Sequence, residues 1–297
     1  MNVCGTQSGG DVLNNKLTIP QLANRQFDYS GIDSLNSCLD RELFIHWPHP
    51  ISYKYNSRGF RDQEWPHDLE SAVWCLGDSF TVGIGSCFEH TWPQVLSEYN
   101  HCRVINVSMN GASNEWIARK ACDAYDLALP RNMVIMWSHL HRRESPDSGL
   151  SDLDRRIHHV KSTVLQDFEN FSSCRKKVQT HCMNCNLVEL VIPNFSPKWG
   201  MDINPWEQIR DPSWPMFMPS TLTECLAKFP QILTELSIIH GIDINSLLEI
   251  QTIQQKLSEF LKGITRVEYL DRARDGHHFD IVTAEWVAKQ VQNLLNS

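Results

Sequence analysis

Several features are scarce in this chain of 297 residues, and each scarcity excludes something. No uninterrupted apolar run approaches the roughly 20 residues a helix needs to cross a bilayer, so no membrane span is expected. The start, from Met1 to Asn15, is polar and lacks a signal-peptide core, which makes a cytoplasmic location the expectation. Positive charge is in deficit: 27 Lys and Arg face 35 Asp and Glu, for a formal net charge of −8. That balance argues against a general binder of nucleic acid or of anionic membranes. The ten cysteines have no regular spacing, and Cys75 sits inside an apolar run. They read as reduced, small apolar side chains rather than as a disulfide framework. One short cluster, His181-Cys182-Met183-Asn184-Cys185, offers three potential zinc ligands. No second Cys pair or His pair completes the set, so neither a metal nor any other cofactor is expected. There is no internal repeat and no low-complexity tract.

What is present is an alternation of strand and helix patterns. Short apolar runs at 72–76, 103–108, 133–137, 187–192 and 267–270 read as buried strands. Apolar residues at helical spacing occupy about 88–99, 114–127, 153–174, 222–239, 246–261 and 284–295. Strands apolar on both sides imply a parallel sheet covered on both faces. The expected fold is therefore α/β, a three-layer sandwich around a mostly parallel five-stranded sheet. Residues 1–70 read as an N-terminal extension, loosely ordered at first and then wrapping the core. Residues 71–297 read as the main domain. An insertion near 195–219 is rich in Trp and Pro, and prolines deny it a regular helix or central strand. Trp206 and Trp214 in that insertion are expected to bind substrate, as part of an aromatic wall beside the site.

The chemistry concentrates in two places. The first is Leu76-Gly77-Asp78-Ser79-Phe80-Thr81-Val82-Gly83, immediately after the first strand. Ser79 stands where a strand ends and a turn leads towards a helix, so its hydroxyl is lifted off the sheet edge. Backbone N–H groups there can face a developing negative charge. The plainer alternative is an ordinary Gly/Asp/Ser turn. The second place is Arg274-Asp275-Gly276-His277-His278-Phe279-Asp280, just before the last helix. A nucleophilic serine needs a base, and the base needs an acidic orienter. Asp275 and His278 can supply both from one loop. The plainer alternative is a solvated turn with Asp280 as the helix N-cap.

Gly77-Asp78-Ser79 with Thr81 and Gly83, followed late in the chain by Asp275-x-x-His278, resembles the SGNH/GDSL hydrolases. The lead-in Tyr55-Asn56-Ser57-Arg58-Gly59-Phe60-Arg61 is similar to a segment in many members of that family. So is Asn110-Gly111-Ala112-Ser113-Asn114 after the second strand. The resemblance covers about residue 55 to the C-terminus. It implies a serine esterase or acyl-ester hydrolase working through an acyl-enzyme. Ser79 would be the nucleophile, His278 the base and Asp275 its orienter. The backbone N–H groups of Ser79 and Gly111 would bind the oxyanion. Small acyl groups on carbohydrate are the substrate class it suggests, with lipids and other esters open.

One block departs from the family. A Gly-x-Asn-Asp-like turn normally follows the third strand, and its Asn donates to the oxyanion. Here the strand is followed by Ser138-His139-Leu140-His141-Arg142-Arg143-Glu144, with no Asn. His139 or Arg142 is the expected replacement donor. Two other functions compete. A metal-dependent hydrolase could gather His139, His141, Asp275, His277 and His278 around one ion. A non-catalytic binding or structural protein could keep the fold and lose the activity.

Overall fold

The computed structural model describes residues 16–147, 149–157, 164–193, 261 and 263–297. Five strands build the central sheet: β1 (Val73–Gly77), β2 (Val104–Ser108), β3 (Asn132–Trp137), β4 (Asn186–Val191) and β5 (Thr265–Arg266). Their order is β2-β1-β3-β4-β5, and every pairing is parallel. All residues of β1 and β2 are buried, as expected for strands covered on both faces. The three-layer α/β sandwich expected from the strand and helix pattern is the architecture observed.

The covering layers are helix pairs. Trp92–Asn100 (α2) packs with Ile281–Leu295 (α5), and Asn114–Ala128 (α3) packs with Val164–His181 (α4). In α5 the buried Ala284, Val287, Ala288 and Val291 recur at the i, i+3, i+4, i+7 spacing that makes one apolar stripe. Four tryptophans, Trp74, Trp92, Trp116 and Trp137, are fully buried in the core. No helix among the described residues is long and apolar enough to cross a membrane.

Several boundaries differ from the sequence expectation. The helix expected at 88–99 is two pieces, a 3₁₀ turn Phe88–His90 and then α2. Thr91 between them is extended, because Pro93 in the next turn suits a helix start and not a helix interior. Of the helix expected at 153–174, residues 153–157 are not helical and the described helix runs from Val164; residues 158–163 lie outside the described residues. Before it, Arg143–Glu144 pairs antiparallel with Arg156–Ile157. The Ser151 hydroxyl takes up the Asp154 N–H and carboxylate in a local turn that competes with helix. The last strand is Thr265–Arg266, earlier than 267–270, and Val267 adds one further bond to Val191. The helices expected at 222–239 and 246–261, apart from residue 261, and the insertion at 195–219 lie outside the described residues.

The sheet order places a topological switch between β1 and β3: from β1 the chain crosses outward to β2, then back past β1 to β3. In open parallel sheets, ligands bind in the crevice beyond the strand ends at such a point. Both the turn carrying Ser79 and the loop 138–142 emerge there.

Candidate active site

The nucleophile turn is set by its own sequence. Asp78 is the N-cap of the single helical turn α1 (Ser79–Val82), and its Oδ1 accepts the Phe80 N–H at 3.1 Å. A Cβ on Gly77 would sit 2.0 Å from Thr81 Oγ1, so only glycine lets the strand run this close beneath the turn. Ser79, only 2% exposed, occupies the first position of α1, where its N–H has no intrahelical partner. Arg61, from the lead-in segment, holds the other end of the turn. Its guanidinium donates to the carbonyls of Val82, Gly83 and Ser86 and stacks on the Tyr53 ring.

The loop after β3 is tied to the same aspartate. Asp78 Oδ2 accepts the Ser138 hydroxyl at 2.6 Å and Arg142 Nη1 at 2.7 Å. Arg142 Nη1 also donates to Ser138 Oγ at 2.9 Å. Asn114, at the start of α3, fixes the loop from behind. Its amide accepts the Ser138 N–H at 2.8 Å and donates to the carbonyls of Ser138 and His139. Arg142 is thus a buried cation with one face on Asp78, and it lines the same pocket as Ser79. His139 does not line that pocket. Burial first, and then the Arg142 charge, hold its pKa well below the usual histidine range. Gly111 takes a left-handed φ of 77°, and no hydrogen bond from its N–H occurs among the described residues. Its neighbour Asn110 lines the pocket.

The loop before α5 brings the two acid–base residues together. His278 Nδ1 lies 2.6 Å from Asp275 Oδ2, and Asp275 Oδ1 accepts the backbone N–H groups of His277 and His278. Burial alone would push the Asp275 carboxyl up. The His278 charge and these donors outweigh it and hold the pKa below the usual carboxylate value. With Nδ1 on the carboxylate, Nε2 carries the remaining lone pair; it is buried and makes no hydrogen bond among the described residues. The Phe80 ring packs 4.7 Å from the His278 ring, which limits how the imidazole can turn. His277 also borders the pocket, but reaches Asp275 only through its backbone. Burial, and then the His278 charge, lower the His277 pKa to about 4.

This second loop is clamped from the start of the chain. Asp33 accepts Arg274 Nε at 2.6 Å and Nη2 at 2.8 Å, and also bonds the Tyr53 hydroxyl. That hydroxyl in turn accepts the Gly85 N–H at 2.8 Å. The Leu39 N–H donates to the Asp275 carbonyl at 2.8 Å. The helix after the loop is capped from upstream: Asp271, not the side chain of Asp280, accepts the N–H groups of Asp280, Val282 and Thr283.

Ser79, His278 and Arg142 therefore share one pocket of about 720 Å³, with Asp275 directly behind His278. The Ser79–His278 hydrogen bond itself is not formed, as is common before substrate tightens such a site. Trp206 and Trp214 lie outside the described residues. Among the described residues, no group of three or more His, Cys, Asp or Glu is arranged to hold a metal ion. In the zinc-like cluster, His181 Nε2 instead bonds Asp126 at 2.6 Å, and the Cys185 thiol turns to the Asn186 carbonyl. Sequence reasoning missed the Asp78–Arg142 pair, Asn114 and the Asp33–Arg274 clamp. Only the first had a signal, an Asp beside the candidate nucleophile and an Arg in the loop that lacks its Asn.

No family model matches the chain, and no curated protein matches it. Among solved structures, a carbohydrate esterase family 2 enzyme from Corynascus thermopiles is 14% identical, with 79% of this chain and 69% of that one covered and a TM-score of 0.40. A family two carbohydrate esterase from Clostridium thermocellum, solved with cellohexaose, is 12% identical over 79% and 66% of the two chains, with a TM-score of 0.36. A GDSL-like lipase from Bacteroides thetaiotaomicron is 10% identical over 79% and 92%, with a TM-score of 0.37.

Proposed function

We propose that this chain is a serine esterase, an acyl-ester hydrolase that works through an acyl-enzyme. The observation that carries the reading is the His278 imidazole, held on Asp275 through Nδ1, with Nε2 buried, without a partner among the described residues and in the same pocket as Ser79. A buried polar atom with no partner costs free energy, so a group that persists in this state points to a use. In the proposed reaction the Ser79 hydroxyl attacks the ester carbonyl while His278 Nε2 takes its proton. Asp275 holds the ring in the tautomer that accepts and stabilises the imidazolium that forms. His278 then returns the proton to the leaving alcohol. Water, activated by the same nitrogen, hydrolyses the acyl-Ser79.

The oxyanion is assigned to the N–H groups of Ser79 and Gly111, with Arg142 in place of the missing Asn. Arg142 suits the task because Asp78 and Ser138 fix its guanidinium before substrate arrives. Removing one such donor typically costs about 3 kcal/mol of transition-state stabilisation, roughly a hundredfold in rate. Acylated carbohydrate is the substrate class the family resemblance suggests. A screen of acetylated sugars and short p-nitrophenyl esters, with Ser79→Ala as control, tests the reading. Hydrolysis that survives in folded Ser79→Ala, or that a chelator abolishes, would rule out the serine mechanism.

A further inference from the structure

The pocket has a charge opposite to that of the chain. The protein carries a net charge of −8, yet no Asp or Glu is among the described residues that line this pocket. Two arginines are. The charge of Arg142 is met by Asp78. That of Arg156 is met only through space, by Asp154: no carboxylate forms an ion pair with it among the described residues. Its Nη1 donates to the Asn110 carbonyl at 2.6 Å and its Nε to the Leu153 carbonyl at 2.9 Å. These two bonds fix a half-buried guanidinium beside the loop that carries Gly111. Nη2 has no hydrogen bond among the described residues. The remaining wall is largely apolar, with Leu22, Phe27, Ile32, Tyr55 and Leu153.

An oriented guanidinium with no direct ion pair, in a partly desolvated pocket, is a receptor for an oxyanion group, because it presents paired donors in a fixed plane. We propose that the preferred substrate is an ester that carries a second, anionic group, a carboxylate or its equivalent, and that Arg156 binds this group while Ser79 faces the ester. The proposal rests on the serine esterase reading and names its substrate class. An acylated acidic sugar would meet both requirements. A neutral ester would leave Arg156 partly desolvated and unpaired, and would bind more weakly for that reason.

Two matched pairs test this, one for each side of the ester. Mono-4-nitrophenyl glutarate against 4-nitrophenyl valerate places the anion on the acyl group. Acetylated glucuronic acid against acetylated glucose places it on the alcohol. In at least one pair kcat/KM should favour the anionic member by about 10- to 100-fold, the range of a hydrogen bond to a charged group. Arg156→Gln should bring that ratio near one, mostly through KM, and Arg156→Lys should retain part of it. A ratio within one variant does not depend on how much of it folds. The preference should also fall with added salt. A wild-type ratio near or below one in both pairs overturns the inference, as does a preference that Arg156→Gln leaves intact. Calorimetry on Ser79→Ala with monomethyl glutarate, with and without Arg156→Gln, provides an arm that needs no turnover. Binding that depends on Arg156, together with a wild-type protein that hydrolyses no ester, would overturn the esterase reading and leave the anion site standing. Hydrolysis of both members at equal efficiency in both pairs would do the reverse.

Discussion

The two halves of the site are held in place by different means. On the nucleophile side the support is local. Gly77, Asp78 and Thr81 shape the turn that carries Ser79, and the loop 138–142 from the adjoining strand binds the same aspartate. On the base side the support is remote. Arg274, next to Asp275, is anchored by Asp33, which lies 241 positions away in sequence. The difference teaches that the position of His278 depends on residues 28–40, far away in sequence, whereas the turn that carries Ser79 is held by its own residues, by Arg61 and by the loop of the adjoining strand. Damage to residues 28–40 should therefore impair proton transfer and spare the fold of the nucleophile turn.

The first way to break this comparison is to remove its two ends. Ser79→Ala and His278→Ala should each cost about 10⁴-fold or more in kcat, and the double variant little more, since residues acting as one unit are strongly non-additive. His277→Ala should cost far less, because His277 does not engage the Asp275 carboxylate through its ring. Steady-state kinetics on the four proteins decides it, and additive losses would show that the two residues do not share a step.

A smaller effect probes the nucleophile side. Arg142→Ala leaves the buried Asp78 carboxylate without its cation. Breaking a buried pair in this way typically destabilises by about 3–5 kcal/mol. If Arg142 also donates to the oxyanion, kcat should fall by roughly a hundredfold with KM little changed. Urea unfolding and kinetics measure the two consequences separately. Unchanged turnover in folded Arg142→Ala would leave the backbone donors as the whole oxyanion site.

On the base side Asp33→Ala should strand Arg274 and Tyr53 and loosen the loop. A misplaced base costs rate at the proton-transfer step, here roughly tenfold or more in kcat. The acidic limb of the kcat–pH profile should move as well, which a merely structural loss would not produce. If Asp33→Ala alters only the melting temperature, the clamp is structural and the remote support of the base is wrong.

The smallest effect is on stability against pH. His277 is half-buried, and desolvation and then the His278 charge lower its pKa from 6.5 to about 4. A histidine held neutral in the fold contributes stability that is complete above its unfolded pKa and lost as pH falls towards the folded one. Unfolding free energy should therefore decline between about pH 6.5 and pH 4, by at most about 3 kcal/mol from this group. Asp275, whose pKa is also lowered, adds a loss in the same direction at lower pH. His277→Phe should flatten the slope in the upper part of that window, and an unchanged slope would assign it to other groups, with buried His139 the next to test.

The legible parts of the site were those written in short stretches of sequence. Gly77-Asp78-Ser79 and Asp275-x-x-His278 each fix their geometry within a few residues, and the runs of β1 to β4 are mostly apolar, with Asn106, Ser108 and Glu189 among the exceptions. The illegible parts were long-range or substituted. Nothing at Asp33 signals that it meets Arg274 across the molecule. Nothing in the loop 138–142 announces that Asn114, from another helix, holds it. The helix expected from residue 153 failed because Ser151 and Asp154 form their own turn, and periodicity cannot register that competition.

The central claim is that Ser79 is a nucleophile activated by His278, and covalent labelling tests it most directly. A fluorophosphonate incubated with the protein should give one stoichiometric adduct, located on the Ser79 peptide by mass spectrometry. The same treatment should leave His278→Ala essentially unlabelled and should proceed unchanged in the presence of a chelator. An adduct on another residue, or ester hydrolysis that persists undiminished in protein that takes up no label, would contradict it.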